Sequence, residues 1–225
     1  MTEPTAKKPR GKRQPLSAER IAEEAMKLID EAGLDGFSFR NLAARLGCQA
    51  MSLYHYYPSK AHLFEALIDL CIAETPLPDP GLNWRDRIYE IGQAYRRTAL
   101  RHPGFFLYFV TFRMNNASGL RHIDGIVRVF EASGLDTEAC ARHFRTIGYY
   151  LMGAGIDEAL GYAHGPSAVE PVPPDEARAA YPAIMAVGRY FGAEHHKAMY
   201  DHGLNVLLDR MEEEAEAQHR TRARE

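Results

Sequence analysis

At 225 residues, 46% of them hydrophobic and 25% charged, the chain can bury a substantial core as one large domain or two small ones. No apolar stretch reaches membrane-spanning length, and the basic N-terminus lacks the apolar core of a signal peptide. The formal net charge of −3 is unevenly placed: residues 1–60 hold ten Lys/Arg against seven Asp/Glu and the rest is acidic, a balance that suits a front end meeting nucleic acid.

Residues 1–14 show no apolar periodicity. Lys7, Lys8, Arg10, Lys12 and Arg13 make a cationic arm, read either as a minor-groove or phosphate-binding extension or as a solubilising tail. A helix is predicted from Ser17 to Ala32, with Ile21, Ala25, Leu28, Ile29 and Ala32 on one face, Ser17 as its cap and Gly33 as its stop. A second helix starts at Ser38, with Phe37 and Leu42 in staple positions and Leu42, Ala43 and Leu46 as its apolar side. Gly47 allows a sharp reversal. A third, short helix runs from Ala50 to Tyr56, anchored by Met51 or Leu53 with Tyr57 behind, and Pro58 ends it. Ser59 can cap a fourth helix whose Leu63, Phe64, Leu67, Ile68 and Cys71 face inward.

Pro76, Pro78 and Pro80 close this front unit, placed at residues 15–73. Beyond them a helical domain is predicted over 74–217, with helices near 83–101, 104–113, 120–133, 137–163, 175–188 and 193–217, then a charged tail over 218–225 that frays. No segment alternates like a strand, so the fold class is all-α. Cys48, Cys71 and Cys140 form no C-x-x-C pair and no disulfide framework, so buried, inert thiols and a cytoplasmic location are expected.

Helix, glycine turn, helix is the arrangement that sets a second helix in the DNA major groove. On the third helix Gln49, Ala50, Ser52, Tyr54 and His55 are left to face outward. Gln bonds adenine edges, Ser bonds several groups, Ala touches a thymine methyl, and Tyr and His can bond phosphate oxygens; Gln49, Ala50, Ser52 and His55 are the candidates for base or near-base contact. Ser38, Arg40, Tyr54 and Lys60 are the candidates for phosphate, because Ser38–Arg40 and Lys60 lie at helix starts with free N–H groups.

These residues carry a resemblance. The stretch from Ser17 to about Leu67 resembles the DNA-binding region of the tetracycline-repressor (TetR) family of bacterial regulators. The matching residues are AAR-L-G-CQ followed by SLYHYYPSKAHLFEAL, with Tyr54, Tyr56, Tyr57, Lys60 and Leu63 in the family pattern. Cys48-Gln49 departs from it, since the family more often has a small aliphatic residue followed by Ser or Thr; Gln49 is therefore read as cap, base reader or both. The resemblance implies nine or ten helices, a homodimer on a palindromic operator, and a small-molecule inducer of unknown identity that enters the C-terminal domain and shifts the fourth helix. The 137–163 segment, with Gly148, Gly153 and Gly155, and the 193–217 segment, with Leu204, Leu207, Leu208 and Met211, are the interface candidates.

The central region is rich in aromatics. Phe105, Phe109, Phe112 and Tyr149, with Arg113 and Asp157 as polar groups, are the candidates for lining an apolar ligand pocket that takes a flat molecule; plain core is the competing reading. His195 and His202 lie seven residues apart rather than four, so His195, His196, His202 and Asp201 are read as surface or dimer-seam groups; no metal or cofactor is expected. Glu131, His143, Asp157 and Glu158 could supply acid and base, but no nucleophile elbow, phosphate loop or ligand cluster joins them, so no catalytic residue is assigned. The remaining alternative is an architectural DNA-binding protein with no small-molecule switch.

Overall fold

Capping and glycine chemistry set the first elements. The Arg20 N–H donates to Ser17 Oγ at 3.2 Å and opens α1 (Ala18–Gly36). Gly33 adopts φ 71° and ψ 172°, which breaks the regular helix there and leaves a kinked turn to Gly36. The Asn41 N–H donates to Ser38 Oγ at 3.1 Å at the start of α2 (Phe39–Leu46). Each such cap contributes about 1 kcal/mol. Gly47 closes α2 in the left-handed region at φ 66°, and α3 (Ala50–Tyr54) follows shortly after it. In this computed structural model residues 15–112, 114–161 and 170–224 are described; among them lie eleven α-helices and no strand. The cationic arm, Arg113 and most of the loop after Gly161 fall outside the described residues.

The chain divides into two compact units between Leu67 and Ile68, inside α4 (Lys60–Glu74) and ahead of the proline-rich break where the sequence places the boundary. In the first unit Ile21, Ile29, Leu42, Leu53, Leu63 and Leu67 are fully buried, with Phe37, Phe39 and Phe64 closing the core. Burying each large aliphatic side chain stabilises by roughly 1.5–3 kcal/mol.

In the second unit α5 (Trp84–Arg101) packs against α6 (Pro103–Thr111), α7 (Ala117–Glu131), α8 (Thr137–Leu160) and α11 (Ala193–Arg222). Gly92 and Gly155 permit close approaches: a Cβ on Gly92 would stand 2.6 Å from Leu204, and one on Gly155 2.6 Å from the Phe106 ring. Leu204, Leu208 and Met211, expected to face a second subunit, are fully buried within this one, against a core that includes Ile88, Ile126 and Leu151. Gly155 likewise serves packing inside the subunit. What α8 and α11 leave exposed includes Gly153, Tyr149, Met199 and Val206.

Two further boundaries differ from expectation. The 175–188 segment is two short helices, α9 (Pro174–Ala180) and α10 (Pro182–Gly188), because Tyr181 precedes a proline and leaves helical geometry at ψ 54°. That break takes the helix count above the nine or ten implied by the resemblance. Helix α11 continues through residue 218 to Arg222, into the segment read as the charged tail. Gln218 and Asp136 exchange two hydrogen bonds of 2.9 Å, Arg222 donates to the Gly134 carbonyl at 2.8 Å, and Arg220 pairs with Glu216. The bonds from Gln218 and Arg222 tie the last turns of α11 to the segment between α7 and α8, a contact that residue-type composition alone does not reveal.

Candidate nucleic-acid interface and ligand cavity

The reading helix is held by its neighbours in three ways. Leu53 is its only buried residue, at 0% exposure, and enters the core of the first unit. The Tyr56 hydroxyl donates to the Leu16 carbonyl at 2.8 Å and the Tyr57 hydroxyl to the Ala18 carbonyl at 3.0 Å, which fastens the end of α3 to the start of α1. Burial pushes the Tyr57 hydroxyl above its ordinary pKa and keeps it a donor. The ring of Tyr54 packs on Phe39 at 4.7 Å between centroids.

Met51 does not share the anchoring role. It is 68% exposed, because two residues along a helix turn a side chain about 200° away from Leu53. It stands with Gln49, Tyr54 and His55 on the solvent side, while Ala50 and Ser52 are partly covered. An apolar side chain there has the chemistry to meet a thymine methyl. Gln49 makes no side-chain capping bond, so its amide is free to read a base edge. The signal for Met51 is its helical phase, but a five-residue helix gives too little sequence to read it.

Phosphate candidates sit at helix starts. Ser38 Oγ accepts the capping bond and keeps its O–H to donate. Arg40 is exposed beside it. Ser59 Oγ lies 3.4 Å from the His62 backbone nitrogen at the start of α4, and Lys60 Nζ lies 4.9 Å from the Phe64 ring centroid and 5.3 Å from that of Phe37. Those two rings hold the ammonium at the first turn of α4. Arg45 serves the fold instead: it is ion-paired to Glu31 and, at 3.0 Å, to Glu24, which ties α2 to α1. From Phe37 to Phe64 the sequence contains no Asp or Glu. That whole stretch around α3 therefore opposes no phosphate with a carboxylate of its own.

The second unit holds a cavity of about 310 Å³ built by α5, α6, α7 and α8. Its walls are Ile88, Ile91, Ile123, Ile126, Phe130, Phe144, Ile147, Leu151 and Met152, with Val110, Phe112 and Met114 at the end of α6 and just beyond. Tyr95, Arg145 and Tyr149 are the only lining side chains with nitrogen or oxygen among the described residues. The Tyr95 hydroxyl and His122 Nε2 are 3.1 Å apart; burial lowers the His122 pKa, which keeps that imidazole neutral. Arg145 donates to the Tyr149 hydroxyl at 3.0 Å and lies over that ring at 4.7 Å.

Of the expected ligand-facing residues, Phe112 and Tyr149 line this cavity. Phe105 and Phe109 do not; they are fully buried core of α6, and Phe109 stacks on Tyr95 at 5.7 Å. Asp157 borders a separate hollow of about 230 Å³ with Glu158, His196 and Tyr200. Arg113 lies outside the described residues. The acid and base candidates are scattered: His143 Nε2 is 3.1 Å from Glu214, Glu158 is ion-paired to Arg96 at 2.7 Å, and Glu131 ends α7 in solvent. Among the described residues no group of three or more His, Cys, Asp or Glu is placed to hold a metal ion, and no helix is long and apolar enough to cross a membrane.

Comparisons with known proteins follow this division. Residues 21–67 match the model for bacterial regulatory proteins of the tetR family, and residues 77–215 match the tetracyclin repressor-like C-terminal domain. The chain is 26% identical over 201 residues to the tetracycline repressor protein class A from transposon 1721 of Escherichia coli, spanning 86% of this chain and 89% of that one. It is 27% identical over 153 residues to the transcriptional repressor DrrR1 of Streptomyces coeruleorubidus, spanning 67% of this chain and 57% of that protein, less than two thirds of its length. The fold is similar to that of ActR from Streptomyces coelicolor in complex with actinorhodin, with a TM-score of 0.66 at 19% identity, covering 88% and 95% of the two chains. Matched in both of its units, the protein belongs to the tetR family of bacterial regulatory proteins, DNA-binding regulators of transcription.

Proposed function

We propose that the protein is a cytoplasmic, ligand-responsive repressor that binds a palindromic operator as a homodimer. The observation that carries this reading is the exposed, carboxylate-free face of α3. Gln49, Ala50, Ser52 and His55, with Met51 among them, meet base edges, and Ser38, Arg40, Tyr54 and Lys60 meet phosphates. Two such helices on one face of B-DNA must stand about 34–36 Å apart, so a shift of a few ångströms in the wrong direction breaks both sets of contacts together.

The cavity of the second unit is the proposed inducer site, and α6 is its link to α4. Val110 and Phe112 line the cavity at one end of α6. At the other end His102, which precedes α6, has its Nε2 3.2 Å from Oε1 of Glu74, the last residue of α4, and Arg101 at the end of α5 reaches the same oxygen at 3.1 Å. A ligand that displaces the end of α6 pulls on α4, the helix that begins at Lys60. The complex of ActR with actinorhodin supports small-molecule control in a similar fold.

Selection of random duplex DNA by the purified protein, with gel-filtration mass recorded alongside, tests the first half. An enriched inverted repeat bound by a dimer is expected. Salt-sensitive binding with no enriched sequence would favour the architectural alternative, and no DNA binding at low salt would sink both. Release of the selected operator by a small molecule, lost when the cavity is filled, tests the second half.

A further inference from the structure

The walls of the 310 Å³ cavity leave one charge unanswered. Tyr95 is engaged with His122, and the Tyr149 hydroxyl accepts from Arg145. A guanidinium has five N–H donors, and the structure shows one of them used. Arg145 has no carboxylate partner among the described residues. Its neighbour Arg142, one turn earlier on α8, has two, Glu214 at 2.5 Å and Glu138 at 3.8 Å. Among the described residues no Asp or Glu lines the cavity to repel an anion. The Tyr149 ring beneath Arg145 holds the planar fork at the solvent edge of an apolar wall, where a charge is screened less than in open water.

Resting on the reading of this cavity as the inducer site, we propose that it selects an organic anion: a flat apolar molecule bearing one carboxylate or sulfonate. The rings lie against Ile88, Ile91, Ile126 and Phe130, and the anionic group is taken by the Arg145 fork. The cavity volume is at the small end of ligand sites, which suits two or three rings rather than a long chain.

Two fluorescent probes that differ in one group test this on the full-length protein: 8-anilinonaphthalene-1-sulfonate, and N-phenyl-1-naphthylamine, the same rings without the sulfonate. The sulfonate is expected to bind about tenfold tighter, the scale of a charge-assisted hydrogen bond. Arg145→Gln should abolish that preference and leave the neutral probe unchanged, and Arg145→Lys should keep part of it. Gly148→Leu serves as the blocking variant, because Gly148 lines the cavity and no atom lies within 4 Å of where its Cβ would stand, so the added branch starts in open space. It should weaken both probes. Equal affinities in the wild type, or a preference that survives Arg145→Gln, would overturn the anion proposal while the cavity reading stands, provided Gly148→Leu still weakens both. Probe binding indifferent to Gly148→Leu would overturn the cavity reading and the proposal together.

Discussion

Every residue of the candidate DNA face comes from one stretch, Ser38 to Lys60, whereas the cavity gathers side chains from four helices between Ile88 and Met152. In the first unit, two serine caps, one left-handed glycine and one buried leucine suffice to present a helix. In the second, the arrangement depends on how α5 to α8 cross, and no local signal encodes a crossing. A reading head can therefore be recognised from a short pattern, while a binding cavity needs the assembled core.

Breaking the anchor of the first unit is the sharpest test of that contrast. Leu53→Ala should destabilise the first unit by about 2–5 kcal/mol, because the residue is fully buried. Operator binding should vanish while binding of the naphthalene probes persists; loss of both together would show that the units do not stand separately. Within the second unit, two glycines of α8 should respond with opposite signs. Gly155→Ala meets Phe106 at 2.6 Å and should cost about 1–3 kcal/mol, whereas Gly153→Ala meets nothing within 4 Å and should stabilise by about 0.5–1 kcal/mol. Thermal melts of the two variants decide the matter, and equal shifts would contradict the packing described for α8.

On the DNA face, Gln49→Ala should lose about 1–3 kcal/mol of discrimination at one base pair of each half-site. Lys60→Ala should instead weaken all sequences alike and reduce the slope of log affinity against log salt by about 0.9 per half-site. Titrations on matched and single-base-altered operators separate the two; identical profiles would undo the division into base and phosphate contacts. The smallest effect concerns acid. The Ala139 N–H, and after it Gln218, hold the Asp136 carboxyl below its ordinary range. Its contribution is full above the unfolded-state value and is lost as pH falls through the lowered folded-state one. Asp136→Asn keeps an acceptor for Ala139 but removes that titration, so its stability should fall less steeply than the wild type's in urea melts as the solution is acidified through the carboxylate range.

The same contrast explains what can be read from the sequence. Ser17, Ser38 and Gly47 announce helix ends in residue type alone, and the structure has them there. Met51 is ambiguous with Leu53 because both are apolar and the helix is barely more than one turn. Phe105 and Phe109 are ambiguous between wall and core because an aromatic on a helix states only that it is buried, not what it is buried against. Leu204, Leu208 and Met211 mislead for the same reason, since a stripe does not say whether its partner is the same chain. Arg145 lies four residues before Tyr149, a spacing visible in the sequence, but nothing there indicates that it stands without a carboxylate among the described residues.

The far end of the reading helix is secured by two phenol-to-carbonyl bonds, from Tyr56 and Tyr57, and neither carries a charge. Ionic strength leaves such bonds unscreened, unlike contacts with phosphate. A salt titration of operator affinity therefore counts the counterions displaced from DNA, undistorted by any loosening at that end of the helix.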